Sequence, residues 1–153
     1  MIWPINCILK TAIKITHTMR LLLLAFFSSC FLQLAVAQNS APEMVVQANL
    51  DAYNAHDLAT FMSYFSEDVT LVDFNSGKIT ARGIDEIRAI YEPYFKASPQ
   101  LHSTILKRLV FDNKVIDHES ITGARGNPEA FEIVLMYEVC GDKICKMTVI
   151  RKL

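Results

Sequence analysis

From Leu101 to Arg151 the apolar residues tend to recur at every second position, in four runs separated by turn signals. Side chains of an extended chain point alternately to opposite faces, so each run is a strand with one face to bury. The runs are Leu101 to Phe111, Val115 to Thr122, Phe131 to Cys140 and Ile144 to Arg151. Asp112-Asn113, the Gly/Asn/Pro loop from Gly123 to Pro128 and Gly141-Asp142 separate them. Strands joined this tightly make an antiparallel meander, and its apolar face needs a cover.

The residues before Leu101 supply that cover. Glu43 to His56 reads as a helix with Val46, Leu50 and Tyr53 on one stripe and Asn49 beside it. Asn54-Ala55-His56-Asp57 breaks the pattern, and Asp57 is placed to cap a second helix. In that helix Leu58, Phe61, Met62 and Phe65 recur on one side, and Ser66-Glu67-Asp68 ends it. Val69 to Phe74 alternates as a strand, with Asp73 on the same face as Val69 and Leu71. Asn75-Ser76-Gly77 is a turn, which makes Lys78 to Ala81 the return strand of a hairpin. A third helix runs from Ile84 to about Phe95, where Pro93 is expected to kink or shorten it. Helices first and long antiparallel strands last argue an α+β domain, with helices on one face of a curved sheet.

The first 37 residues have a different character. Leu21 to Ala37 is apolar and almost free of charge, Arg20 precedes it, and Ala35-Val36-Ala37 is a small-x-small cleavage site. That order is the pattern of a secretory signal peptide, so the mature chain is expected in the periplasm or outside the cell, with no membrane segment after removal. Met19 is an alternative start. A retained anchor and lipid attachment at Cys30 are competing readings of the same segment. Residues 38–42 form a polar tail and 43–151 the domain. Lys+Arg and Asp+Glu number 15 and 16 over the whole chain. Residues 38–153 alone carry 12 against 16. Such a chain offers no strongly basic surface for nucleic acid.

A turn centred on Gly141-Asp142 makes Cys140 and Cys145 diagonal neighbours on one face of a hairpin, whereas a four-residue loop sets them directly opposite. In an oxidising compartment they form either a disulfide or a pair of partly buried thiols. Their spacing is not that of a redox-active C-x-x-C pair.

The α-α-β start with YNAHDLATFMSYFSEDVTLVD, the ARGIDEIRAIYEPYF helix and the meander resemble the SnoaL-like branch of the nuclear transport factor 2-like superfamily. The resemblance covers nearly all of residues 43–151. It implies a cone in which three N-terminal helices pack on a strongly bent antiparallel sheet around a small-molecule pocket. It also implies a homodimer through the sheet, and either cofactor-free isomerase or cyclase chemistry on an apolar carbonyl compound or a non-catalytic ligand- or partner-binding role. Counted from the N-A-x-D break, Asp73 falls where ketosteroid isomerases keep their general base. Their oxyanion donors fall at Asn49 and near Val134, so this chain departs from the isomerase pattern at both.

Two groups are candidates for chemistry. Asp73 lies on an otherwise apolar strand face, where lost hydration would make it a stronger base; the competing reading is a cap on the Asn75-Ser76-Gly77 turn. In KVIDHESITG, His118 points opposite to Asp117 and Glu119. If the acids face water, His118 faces inward as an acid or base. The converse is open, because Val115 and Ile121 share the acidic face. Asn49, Tyr53, Tyr91, His102 and Tyr137 are candidate ligand contacts, and His56 in the helix break is expected in solvent. The histidines and carboxylates have no compact metal-ligand spacing, and no phosphate-binding or nucleotide-binding motif is present, so neither a metal nor a cofactor is expected.

Overall fold

The computed structural model describes residues 41–152. The signal peptide, the Met19 start and the Cys30 reading lie outside those residues. No helix among the described residues is long and apolar enough to cross a membrane.

Helix α1 spans Ala41–Asn54, so it begins two residues before its expected start and takes in the end of the polar tail. Helix α2 is short, Leu58–Ser63, and Asp57 caps it by accepting from the Thr60 amide at 3.0 Å. Phe65 does not extend this helix. It is the first residue of strand β1, Phe65–Asp73, and it starts strand pairing opposite Ile144. The spacing of Phe65 fits either element, and its ring packs on Phe61 with centroids 5.2 Å apart. Strand β2 is Lys78–Arg82, and helix α3 is Gly83–Lys96 with Pro93 inside it. Pro93 does not shorten the helix, which runs three residues past it. The meander strands are β3 (His102–Phe111), β4 (Lys114–Thr122), β5 (Phe131–Cys140) and β6 (Lys143–Arg151).

The sheet order is β2-β1-β6-β5-β4-β3, with β1 and β6 parallel and the other neighbours antiparallel. The six strands curl without closing, which is the cone that the resemblance implies. A two-residue turn at Gly141-Asp142 sets Cys140 opposite Lys143. Cys145 then falls diagonal to Cys140, and the two are joined in a disulfide with Cα atoms 5.7 Å apart.

The three helices meet the inner face of the sheet through an aromatic cluster. Phe61 is its hub, with ring centroids of Tyr91, Phe65, Phe95 and Tyr53 at 4.7, 5.2, 5.5 and 5.8 Å. Full burial of one such ring stabilises a fold by about 2–3 kcal/mol, and tilted ring pairs add to that. The link between α1 and α2 ties this cluster to the sheet. Asn54 clamps Ser103 at the start of β3 from both sides, donating to its carbonyl at 2.9 Å and accepting from its amide at 2.8 Å. His56 is half-buried rather than free in solvent: its Nε2 lies 2.7 Å from the Leu101 carbonyl, which accepts from it. The break between the helices is therefore a clasp on the first long strand.

Candidate functional site

The inner face of β4 decides the site. Val115, Asp117, Glu119 and Ile121 are all buried, while His118 and its even-numbered neighbours face outward. Burial of the apolar residues at both ends of this face draws the two acids inside. Asp117 is fully buried and paired on both oxygens, accepting from Arg108 Nε at 2.7 Å and Nη2 at 2.6 Å. Arg108 also donates to Gln47 of α1 at 2.8 Å. Among the described residues no cation pairs with Glu119.

Glu119 borders a cavity of about 400 Å³ between the helices and the inner face of the sheet, lined by residues of α1, α2, α3, β4, β5 and β6 and of the loop after β4. Its Oε2 accepts from the Ser103 hydroxyl at 2.5 Å, and the Tyr137 hydroxyl lies 3.5 Å from its Oε1. Ser103 is the residue clasped by Asn54, so the hydroxyl is held in place from the helix side. Burial pushes the Glu119 carboxyl up to about 7. The charge of Asp117 adds to the rise, while the Ser103 and Tyr137 hydroxyls and Arg108 oppose it. A carboxyl with that affinity is divided between acid and base near neutral pH, the condition under which a group both takes and returns a proton.

Apart from Asn49, Arg125 and Arg151, the remaining wall is aromatic and apolar. Tyr53, Phe61, Tyr91, Tyr94, Phe131 and Tyr137 line it. The Tyr53 and Tyr94 hydroxyls are 3.5 Å apart. Burial above all holds Tyr53, Tyr91 and Tyr137 well above the ordinary phenol range, so each stays protonated and able to donate. Asn49 also lines the cavity, but its Nδ2 donates to the Phe61 carbonyl at 3.0 Å, which engages its amide in the fold.

The structure brings together Asn49, Tyr53, Tyr91 and Tyr137 among the residues expected at the site. It leaves three outside. Asp73 does not line the cavity. Its Oδ1 accepts from the Ser76 amide at 2.9 Å and the Ser76 hydroxyl at 2.8 Å, and its Oδ2 accepts from Arg151 at 3.1 Å. These bonds, those from Ser76 foremost, hold its carboxyl below the ordinary aspartate value. The turn-cap reading is therefore the one realised, and the inward-base geometry is not. His118 points outward from β4 and pairs with Glu132 at 2.8 Å, because the strand's inward set is the odd-numbered one. His102 is exposed at the start of β3. Among the described residues no group of histidine, cysteine and acidic side chains is arranged to hold a metal.

Glu119 is the residue that sequence reasoning passed over in favour of His118. The signal was present in the pairing of Val115 and Ile121 with the acidic face. What the sequence did not display was Arg108, nine residues from Asp117, which neutralises one acid and leaves the other to the cavity.

The family model of the SnoaL-like domain matches residues 46–147. A search of curated proteins finds no match. Among solved structures, a cystatin-fold protein from Novosphingobium aromaticivorans is 28% identical, with a TM-score of 0.65 over 74% of this chain and 100% of that one. A protein with a ketosteroid isomerase-like fold from Catenulispora acidiphila, solved in complex with trimethylamine, is 20% identical, with a TM-score of 0.59 over 71% of this chain and 85% of that one. TerC, co-crystallized with polyporic acid, is 14% identical, with a TM-score of 0.63 over 74% of this chain and 92% of that one. At these last two identities the likeness is one of fold.

Proposed function

Because this chain belongs to the SnoaL-like domain family, whose fold houses isomerases and cyclases as well as proteins of other roles, we propose that it is a cofactor-free proton-transfer enzyme acting on a ring-bearing carbonyl compound. The observation that carries this reading is the position of Glu119. It is a buried carboxyl bordering an aromatic cavity, with its affinity raised to about 7 and, among the described residues, no cation paired to it.

In this reading Glu119 is the acid–base group. As carboxylate it removes a proton from the carbon next to the carbonyl, and the pair of electrons moves into the enolate. The enolate oxygen accepts from a phenol of the cavity wall. In the Tyr53–Tyr94 pair one hydroxyl donates to the other, and the second proton is available to the substrate. Protonated Glu119 then returns its proton at another carbon of a conjugated enolate, which isomerises the compound, or the enolate attacks a second carbonyl to close a ring and Glu119 gives its proton to the alkoxide so formed. Ser103 keeps the carboxyl aimed while its charge changes. The aromatic walls exclude water, which strengthens each of these interactions.

The test uses 2-tetralone in D2O, followed by NMR for exchange of its α-hydrogens. The expected result is exchange well above the buffer rate, reduced about 100-fold or more in Glu119→Gln and retained in Asp73→Asn. Exchange that survives Glu119→Gln, or no acceleration by the native protein, would contradict the assignment.

We also infer export and self-association. The disulfide Cys140–Cys145 supports an oxidising compartment, in line with the leader pattern. The outer face of β3 leaves Leu109 and Phe111 exposed, 57% and 72%, and supports pairing of two copies through the sheet.

A further inference from the structure

The charged side chains that border the cavity are Glu119, Arg125 and Arg151. They are not mixed. Glu119 is 2% exposed, whereas the Arg151 side chain is 58% exposed and Arg125 lies in an exposed loop. The carboxyl is therefore deep and the two guanidiniums stand at the mouth. Residues 38–153 carry 12 Lys+Arg against 16 Asp+Glu, so a cationic mouth runs against the chain's own balance.

The position of Arg125 is built by the fold. Its backbone is left-handed, at φ 51° and ψ 34°, a conformation that a non-glycine residue keeps only where its surroundings hold it. Its N–H donates to the hydroxyl of the fully buried Ser98 at 2.7 Å. Two residues earlier Gly123 passes so close to the chain that a Cβ there would lie 2.0 Å from the Gln100 carbonyl oxygen. The guanidinium reaches back over the Tyr94 ring, 6.0 Å from its centroid, on the cavity wall. Among the described residues it forms no ion pair with a carboxylate. Arg151 engages Asp73 through Nη1 alone, at 3.1 Å. A guanidinium has five N–H donors in a fork that fits a planar oxyanion, so both arginines keep donors for a ligand.

We propose that the molecule admitted to the cavity carries a carboxylate, bound at the mouth by Arg125 and Arg151. Its ring system lies against Phe61, Tyr91 and Tyr94, and its reactive C–H bond faces Glu119. The anion is the handle that sets which end of the substrate enters first. This deepens the acid–base reading of the cavity and rests on it for the placement of the reactive carbon, but the anion preference is measured separately.

The test is isothermal titration of the full chain at low salt with two probes of one shape, 2-naphthoate and 2-naphthamide. The expected result is binding of the carboxylate at least about tenfold tighter than the amide. In the double variant Arg125→Gln with Arg151→Gln that preference disappears while the amide binds as before. Equal affinity in the native protein, failure of the carboxylate to bind, or a preference that survives in the double variant overturns the proposal. Glu119→Gln keeps the two readings apart. If that variant still prefers the carboxylate and still exchanges 2-tetralone, the anion site stands and the acid–base role of Glu119 falls.

Discussion

Glu119 holds its proton more tightly in the folded protein than in the unfolded chain, and that difference is a folding energy. The group rises from an ordinary value of 4.5 to about 7. Protonation therefore favours the fold. This contribution is fully present below about pH 4.5 and is lost as pH rises through about 7. It is worth about 3 kcal/mol by linkage. Glu119→Gln removes the titration, so the stability of the variant relative to the native protein rises by about 3 kcal/mol from pH 4 to pH 8 in urea unfolding. A difference that is flat with pH would mean the carboxyl is already hydrated. Arg108 makes the opposite case. Removing it leaves Asp117 buried and unpaired, and Arg108→Ala is expected to cost about 3–5 kcal/mol. The two acids on one strand face therefore give opposite responses, one stabilising when replaced and one destabilising when orphaned.

At the scale of elements, much was legible before the fold was known. The four strands of the meander, the cap at Asp57 and the hairpin that joins Cys140 to Cys145 follow from alternation and turn chemistry, which act over a few residues. What was not legible involved partners far along the chain. Phe65 has the spacing of a helical residue, and only its pairing with Ile144 makes it a strand. Asp73 sits on an apolar face in the strand pattern, but Ser76 and Arg151 claim its oxygens. Which of the two inward acids of β4 is neutralised depends on Arg108 in β3, which pairs with Asp117. The loop after β4 is a further case, because the close approach of Gly123 to Gln100 appears in no local pattern. Gly123→Ala forces a Cβ against that carbonyl and into a left-handed backbone, at φ +69°. The expected cost is about 2–3 kcal/mol, read as a lower melting temperature, together with weaker naphthoate binding as Arg125 moves.

Over the described residues the six-stranded sheet curls into an unclosed cone around the helices. Its inner face supplies the cavity, and its outer face supplies the apolar strip at Leu109 and Phe111. If that strip pairs two copies, sedimentation equilibrium at micromolar concentration returns twice the chain mass, and Leu109→Lys with Phe111→Lys returns one chain mass without loss of 2-tetralone exchange. A native monomer would remove the pairing. The raised affinity of Glu119 is itself a property of the whole cone, since sheet, helices and loop all contribute to its burial. The most direct measurement is therefore titration of the Glu119 side-chain carboxyl carbon by NMR in the folded protein. The account predicts a midpoint near 7. A midpoint near 4.5 would place Glu119 in water and contradict its role as the acid–base group of this cavity.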